Sequence, residues 1–151
     1  MSDPASPVEA LARRIIEAQG PISLAALMRL ANAGLPESYY QAQQPFGGAG
    51  DFVTAPEISQ MFGELLGLAL ADHWHNIGEP QAVDVTELGP GRGLLMADVL
   101  RIWQRSAPSL YRHGAVTMIE ASPALAQAQA ERLARHTHSV SWARDLPPGS
   151  A

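Results

Sequence analysis

The chain has 151 residues, 46% of them hydrophobic and 17% charged, with a net charge of −5, the balance of one globular domain rather than a disordered segment. All ten basic residues are arginines and they are scattered, so no basic face for nucleic acid is indicated. The absence of cysteine removes disulfides, thiolate metal sites and cysteine nucleophiles. With neither an apolar leader nor a run of ~18 apolar residues, the chain reads as cytoplasmic and without a membrane span.

Ser6-Pro7-Val8-Glu9 is a capping-box start, and Val8, Leu11, Ala12, Ile15 and Ile16 form one apolar stripe up to Gly20. Ser23 predicts the cap of a second helix running to Gly34, and Pro36 the start of a further helical turn over Leu35–Tyr40. Tyr39–Phe52, with Pro45, Gly47, Gly48 and Gly50, reads as a loop that either packs over a site or simply connects. Residues 1–50 are thus expected to form a small helical cap with its loop, and residues 51–151 a separate α/β portion. Thr54-Ala55-Pro56-Glu57 is a second capping box, and it predicts one long helix over Ile58–Ile77 that packs as a core element. Gly63 and Gly67 share a face of that helix and permit close approach of another backbone. His73 and His75 point to different faces, and His136 and His138 are no better placed, so no metal site is expected.

Ala82–Leu95, AVDVTELGPGRGLL, organises the α/β portion. Val83, Val85, Thr86 and Leu88 predict a buried strand ending at Glu87. Gly89, Gly91 and Gly93 make a turn, and a helix over Leu94–Arg105 begins behind it. Glycine lets a ligand approach the backbone, and the helix start offers unpaired N–H groups. A dinucleotide loop would need its third glycine at 94, where Leu94 stands. The E-x-G-x-G-x-G spacing instead resembles motif I of methyltransferases that use S-adenosylmethionine (SAM). In that reading Glu87 suits the ammonium of SAM and the backbone N–H groups its carboxylate.

A connector over 106–114 leads to a second strand, Ala115–Ile119, which ends in Glu120. A carboxylate at that strand tip is where nucleotide-type α/β folds hold a ribose diol. Ser122-Pro123 starts a helix expected to reach His136, and a third short strand, Ser139–Ala143, precedes Asp145 and Leu146. Those last two could reach an adenine or merely lead onward.

Gly50-Asp51-Phe52-Val53-Thr54-Ala55-Pro56-Glu57-Ile58-Ser59-Gln60-Met61-Phe62-Gly63-Glu64, followed by Glu87-Leu88-Gly89-Pro90-Gly91-Arg92-Gly93, resembles the MidA family. Tyr39-Tyr40 and Glu120-Ala121-Ser122-Pro123 are also similar. These are class I SAM-dependent methyltransferases that include the mitochondrial complex I assembly factor. The resemblance implies a partial Rossmann-like class I methyltransferase fold, α/β with three parallel strands, after the helical cap. It implies SAM as cofactor, held by Glu87, Gly89, Gly91, Gly93 and Glu120, with Asp51 and Thr54 near the methionine end. It further implies a protein substrate, an arginine on a subunit of respiratory complex I, and names no catalytic residue. Leu94 stands where the family tends to have Thr. Family members are more than twice as long, so the chain is expected to carry the first half of the SAM domain and no activity alone. Two other readings stay open: an NAD-type Rossmann oxidoreductase, and a non-catalytic complex I assembly or interaction protein.

Overall fold

A computed structural model describes residues 6–32, 34–42, 53–136 and 139–146. The chain divides into two compact units, Met1–Pro45 and Phe46–Ala151. In the first, α1 (Pro7–Gln19) starts where Ser6 Oγ accepts the Glu9 N–H at 3.2 Å, and ends where the Gly20 N–H reaches Ile16 O at 2.9 Å. α2 (Leu24–Asn32) begins after Ser23, whose hydroxyl accepts the Ala26 N–H at 3.2 Å. Ser38 is buried, accepting from the Leu35 N–H and donating to Leu30 O at 2.6 Å. Tyr39–Ala42 form a short helix, α3, where a loop was expected to start. The rest of that loop, Asp51 included, lies outside the described residues.

The second unit runs α4 (Ala55–Ile58), α5 (Gln60–Asn76), β1 (Val83–Leu88), α6 (Leu94–Ser106), α7 (Pro108–His113), β2 (Gly114–Ile119), α8 (Pro123–Arg132) and β3 (Val140–Ala143). The strands form one parallel sheet in the order β1-β2-β3, with Val85 opposite Val116 and Val116 opposite Val140. This is the partial Rossmann-like arrangement, three parallel strands with helices, that the family resemblance implied. Because strand side chains alternate, Val83, Val85, Val116, Met118 and Val140 share one face. They pack with Leu100 and Trp103 of α6 and Leu110 of α7 in a single core. On the opposite face Asp84, Thr86, Leu88, Ala115 and Ser141 are exposed.

The expected helix over 58–77 is broken at Ser59, which is extended (φ −151°, ψ 126°) and whose hydroxyl accepts the Met61 N–H. Its buried face also differs from the expectation. Ile58, Met61 and Leu65, which recur at helical spacing and were expected to pack inward, are exposed by 74%, 62% and 59%. What α5 buries is Gly63, Gly67 and Trp74. A Cβ at Gly63 would lie 2.6 Å from Asp98 Cβ, and one at Gly67 3.1 Å from Val99 Cα, so the two missing side chains let α5 and α6 approach at the backbone. Trp103, 1% exposed, then donates its indole N–H to Gly67 O at 2.9 Å. Arg101 ties the same two helices, 3.0 Å from Glu64 Oε1 and 2.8 Å from Asp98 Oδ1.

The connector at 106–114 holds α7, opened by Pro108 in its first turn and anchored by buried Leu110. The helix after Pro123 stops at Arg132 and gives way to a 3₁₀ turn over Ala134–His136. Among the described residues no helix is long and apolar enough to cross a membrane.

Candidate functional site

β1 delivers Glu87 to its C-terminal end, and the turn after it remains joined to the sheet through the Gly89 N–H, which donates to Ile119 O at 3.0 Å. Gly89, Gly91 and Gly93 all have positive φ (62°, 54° and 72°), a left-handed path that side chains with a Cβ resist. Gly93 is needed twice over, since a Cβ there would also sit 3.2 Å from Gln129 Cγ. α6 then starts at Gly93 with no side chain capping it, so the donors of its first turn find no side-chain acceptor at its cap.

A cleft of about 300 Å³ opens at this turn, lined by Thr54, Pro56, Glu57, Glu87, Leu88, Gly89, Pro90, Gly91, Arg92, Leu94 and Leu95. Glu87 is its most perturbed group. Burial pushes the carboxyl up from its ordinary 4.5 to about 7, because the charged form loses its hydration. Its Oε2 is buried and accepts no hydrogen bond. Glu57, expected only as a cap, contributes a buried side chain here. Its carboxylate accepts the Thr54 N–H at 3.4 Å, and its Oε1 lies 3.6 Å from Arg92 Nη1.

Of the expected site residues, Glu87, Gly89, Gly91 and Thr54 meet in the cleft, whereas Gly93 and Glu120 are not among its lining. Gly93 is buried beneath the turn. Glu120, at the tip of β2, is tied to the turn indirectly: its Oε1 accepts the Ser122 N–H at 2.8 Å and its Oε2 the Gln129 side-chain N–H at 3.0 Å. The same Gln129 nitrogen donates to Gly91 O at 2.7 Å. A carboxylate has about four lone-pair directions, so Glu120 keeps capacity for hydroxyl donors. Asp145 and Leu146 are exposed and do not line the cleft.

Sequence reasoning passed over Glu57, Arg92 and Gln129 as site residues. Glu57 could have been found in the motif around Pro56. Nothing local marks Gln129, whose partners are remote in sequence. Of the histidines, His75 Nδ1 pairs with Glu79 Oε1 at 2.7 Å, while buried His136 meets Tyr111 OH and receives Arg135 Nε–H at 3.0 Å. His138 lies outside the described residues.

Residues 65–150 match the family described as "Putative S-adenosyl-L-methionine-dependent methyltransferase". Among curated proteins, the chain is 45% identical over 124 residues to "Protein arginine methyltransferase NDUFAF7, mitochondrial" of Danio rerio, covering 82% of this chain and 29% of that one. It is 38% identical over 135 residues to the Drosophila melanogaster homolog, covering 89% and 30%, and 37% identical over 134 residues to the Homo sapiens protein, covering 86% and 30%. The chain therefore spans less than a third of the length of these relatives. Among solved structures it is similar to a Burkholderia thailandensis protein bound to S-adenosyl-homocysteine, with a TM-score of 0.73 and 28% identity over 93% of this chain and 37% of that one. A second structure from Burkholderia thailandensis, at 24% identity and a TM-score of 0.67, shares the fold.

The names of the three relatives carry the word mitochondrial, and this overturns the cytoplasmic expectation. That expectation rested on the lack of an apolar leader and a spanning segment, and neither observation reports on the compartment in which a protein works.

Proposed function

The chain belongs to the S-adenosyl-L-methionine-dependent methyltransferase family, and on that premise we propose that its cleft holds the methyl donor for transfer to an arginine on a protein. One observation carries this reading: Glu87, with a buried oxygen lacking any partner, faces the same cleft as the glycine turn and the uncapped start of α6. An amino-acid end needs an acceptor for its ammonium and donors for its carboxylate. Glu87 supplies the first, and the N–H groups of the turn and helix the second. Glu120 takes the ribose diol, Gly89, Gly91 and Gly93 keep the backbone clear, and Thr54 lies toward the methionine end. Residues 51–151 then form part of the donor-binding domain, and a helical cap over 1–50 precedes them in sequence.

The donor supplies a methyl group on a positively charged sulfur. A guanidine nitrogen attacks that carbon in line, the carbon–sulfur bond breaks, and the nitrogen loses a proton as the neutral thioether leaves. The contribution of these residues is to orient the donor and exclude water. No side chain of the chain is assigned a catalytic role. The names of the relatives, which are arginine methyltransferases, support a protein arginine as the acceptor, and the family resemblance supports a complex I subunit as its carrier.

A thermal-shift and calorimetric panel of SAM, S-adenosyl-homocysteine, NAD and ATP tests the donor. Binding of the first two and not the others is expected, and preference for NAD or ATP overturns the reading. The comparisons favour neither the oxidoreductase nor the non-catalytic alternative.

A further inference from the structure

Gln129 of α8 is fully buried, and three of the four hydrogen-bonding directions of its amide are committed, each to a different element. Its Nε2 donates to Gly91 O at 2.7 Å and to Glu120 Oε2 at 3.0 Å, while its Oε1 accepts the Trp142 indole N–H at 3.0 Å. The orientation of the amide is not interchangeable. Turning it over would set its NH2 against an indole donor and its oxygen against a carbonyl and a carboxylate. One residue thus ties together the glycine turn, the tip of β2 and β3. A turn further along, Arg132 Nε–H donates to Arg92 O at 3.0 Å, so α8 holds two successive carbonyls of the turn. In a planar trans peptide the C=O and N–H point in opposite directions. With Gly91 O held toward α8, the Arg92 N–H faces away from it, and the cleft is lined by Arg92 and by no residue of α8.

We infer that Gln129 is a positioning residue for the donor site, fixing the Glu120 carboxylate against the glycine turn at the angle from which it meets a ribose diol. This rests on the donor-binding reading above. Glu120 also receives the Ser122 N–H on its other oxygen, so the two donors together leave the carboxylate a single orientation. Losing the Gln129 bond frees it to rotate about its own side-chain torsions. The Gln129 side chain passes close enough to Gly93 that a Cβ there would sit 3.2 Å from its Cγ.

The test is a double-mutant cycle on the full chain, with S-adenosyl-homocysteine as the probe in calorimetry. Gln129→Met keeps the length of the side chain and removes the amide. It is expected to raise Kd about tenfold, the cost of a hydrogen bond to a charged group. In a Glu120→Ala background the same change should add no more than about twofold, because Gln129 acts through Glu120. A merely structural role would give the same penalty in both backgrounds, and that result, or no penalty in either, overturns the inference. Should Gln129→Met not fold, Trp142→Phe keeps an aromatic ring and removes the indole donor that orients the amide. A several-fold loss that disappears without Glu120 supports the inference, and an unchanged affinity overturns it. If the wild-type chain does not bind S-adenosyl-homocysteine, the donor reading fails. The positioning role is then decided without ligand, by a crystal structure of Gln129→Met. A rotated Glu120 side chain supports it, and an unmoved one overturns it.

Discussion

Replacing Glu87 by Gln tests the electrostatics of the cleft directly. In the wild-type chain burial holds the carboxyl at about 7 against its ordinary 4.5. Below pH 4.5 the folded and unfolded chains both carry the proton, and above 7 both have lost it. Between these limits the folded chain binds more protons than the unfolded one, so stability falls as pH rises through the window and is flat above it. A shift of this size corresponds to about 3 kcal/mol at its full extent. Glu87→Gln is neutral throughout. Its stability in urea titrations should match the wild type near pH 4 and exceed it by up to about 3 kcal/mol near pH 8. The donor-binding profile should have the opposite sense. An ammonium needs the ionised carboxylate, which is about nine-tenths populated at pH 8 and one-tenth at pH 6, so wild-type affinity for SAM should drop about tenfold between the two. The variant should bind weakly and without that step. Parallel stability curves for the two proteins, or a pH-independent wild-type affinity, would refute the account of Glu87.

Glu120→Ala should weaken S-adenosyl-homocysteine binding by at least about tenfold in calorimetry, since hydrogen bonds to a charged group are lost. Gly63→Ala drives a Cβ to within 2.6 Å of Asp98 Cβ and should cost about 1–3 kcal/mol in urea unfolding as α5 is pushed off α6. Trp103→Ala removes the buried ring and its bond to Gly67 O, with an expected loss of about 3–5 kcal/mol by the same measurement.

Features that depend on neighbours in sequence were the ones legible there. The caps at Ser6, Ser23 and Ser122 work over three residues, so the residue types alone revealed them. The turn after β1 was equally plain, because strand, glycines and helix follow one another without a gap. The helix at 108–113 was hidden for the converse reason. A segment of six residues is too short to show a period, and only Leu110 is buried to betray its inner face. α5 was half legible: Gly63 and Gly67 were read as a site of close approach and are one, but the apolar residues beside them misled. Its large apolar residues repeat at helical spacing, but period alone does not say which face meets the neighbour, and here two glycines outweighed the bulkier stripe. Gln129 could not be read at all, since its bond to Gly91 spans 38 residues of chain.

Several local irregularities of the second unit meet at the turn after β1. α5 and α8 each start at a serine whose hydroxyl accepts a first-turn N–H. α6, which packs into the same core as β1 and β2, starts at a left-handed glycine with no side-chain acceptor. Immediately beside it lies a carboxyl with an unpartnered oxygen, held near neutral pKa by burial. Each of these departures destabilises the chain: an absent cap by about 1 kcal/mol, an unpaired buried oxygen by about 1–3 kcal/mol. Packing elsewhere, around Trp103 and Leu100, offsets them. Unmet donors and an unmet acceptor a few residues apart are complementary to the two charged ends of an amino acid, and a ligand that carries both would satisfy them together. A chain that keeps such groups unmatched at this turn, while capping α5 and α8 with serines, is organised around something that binds there.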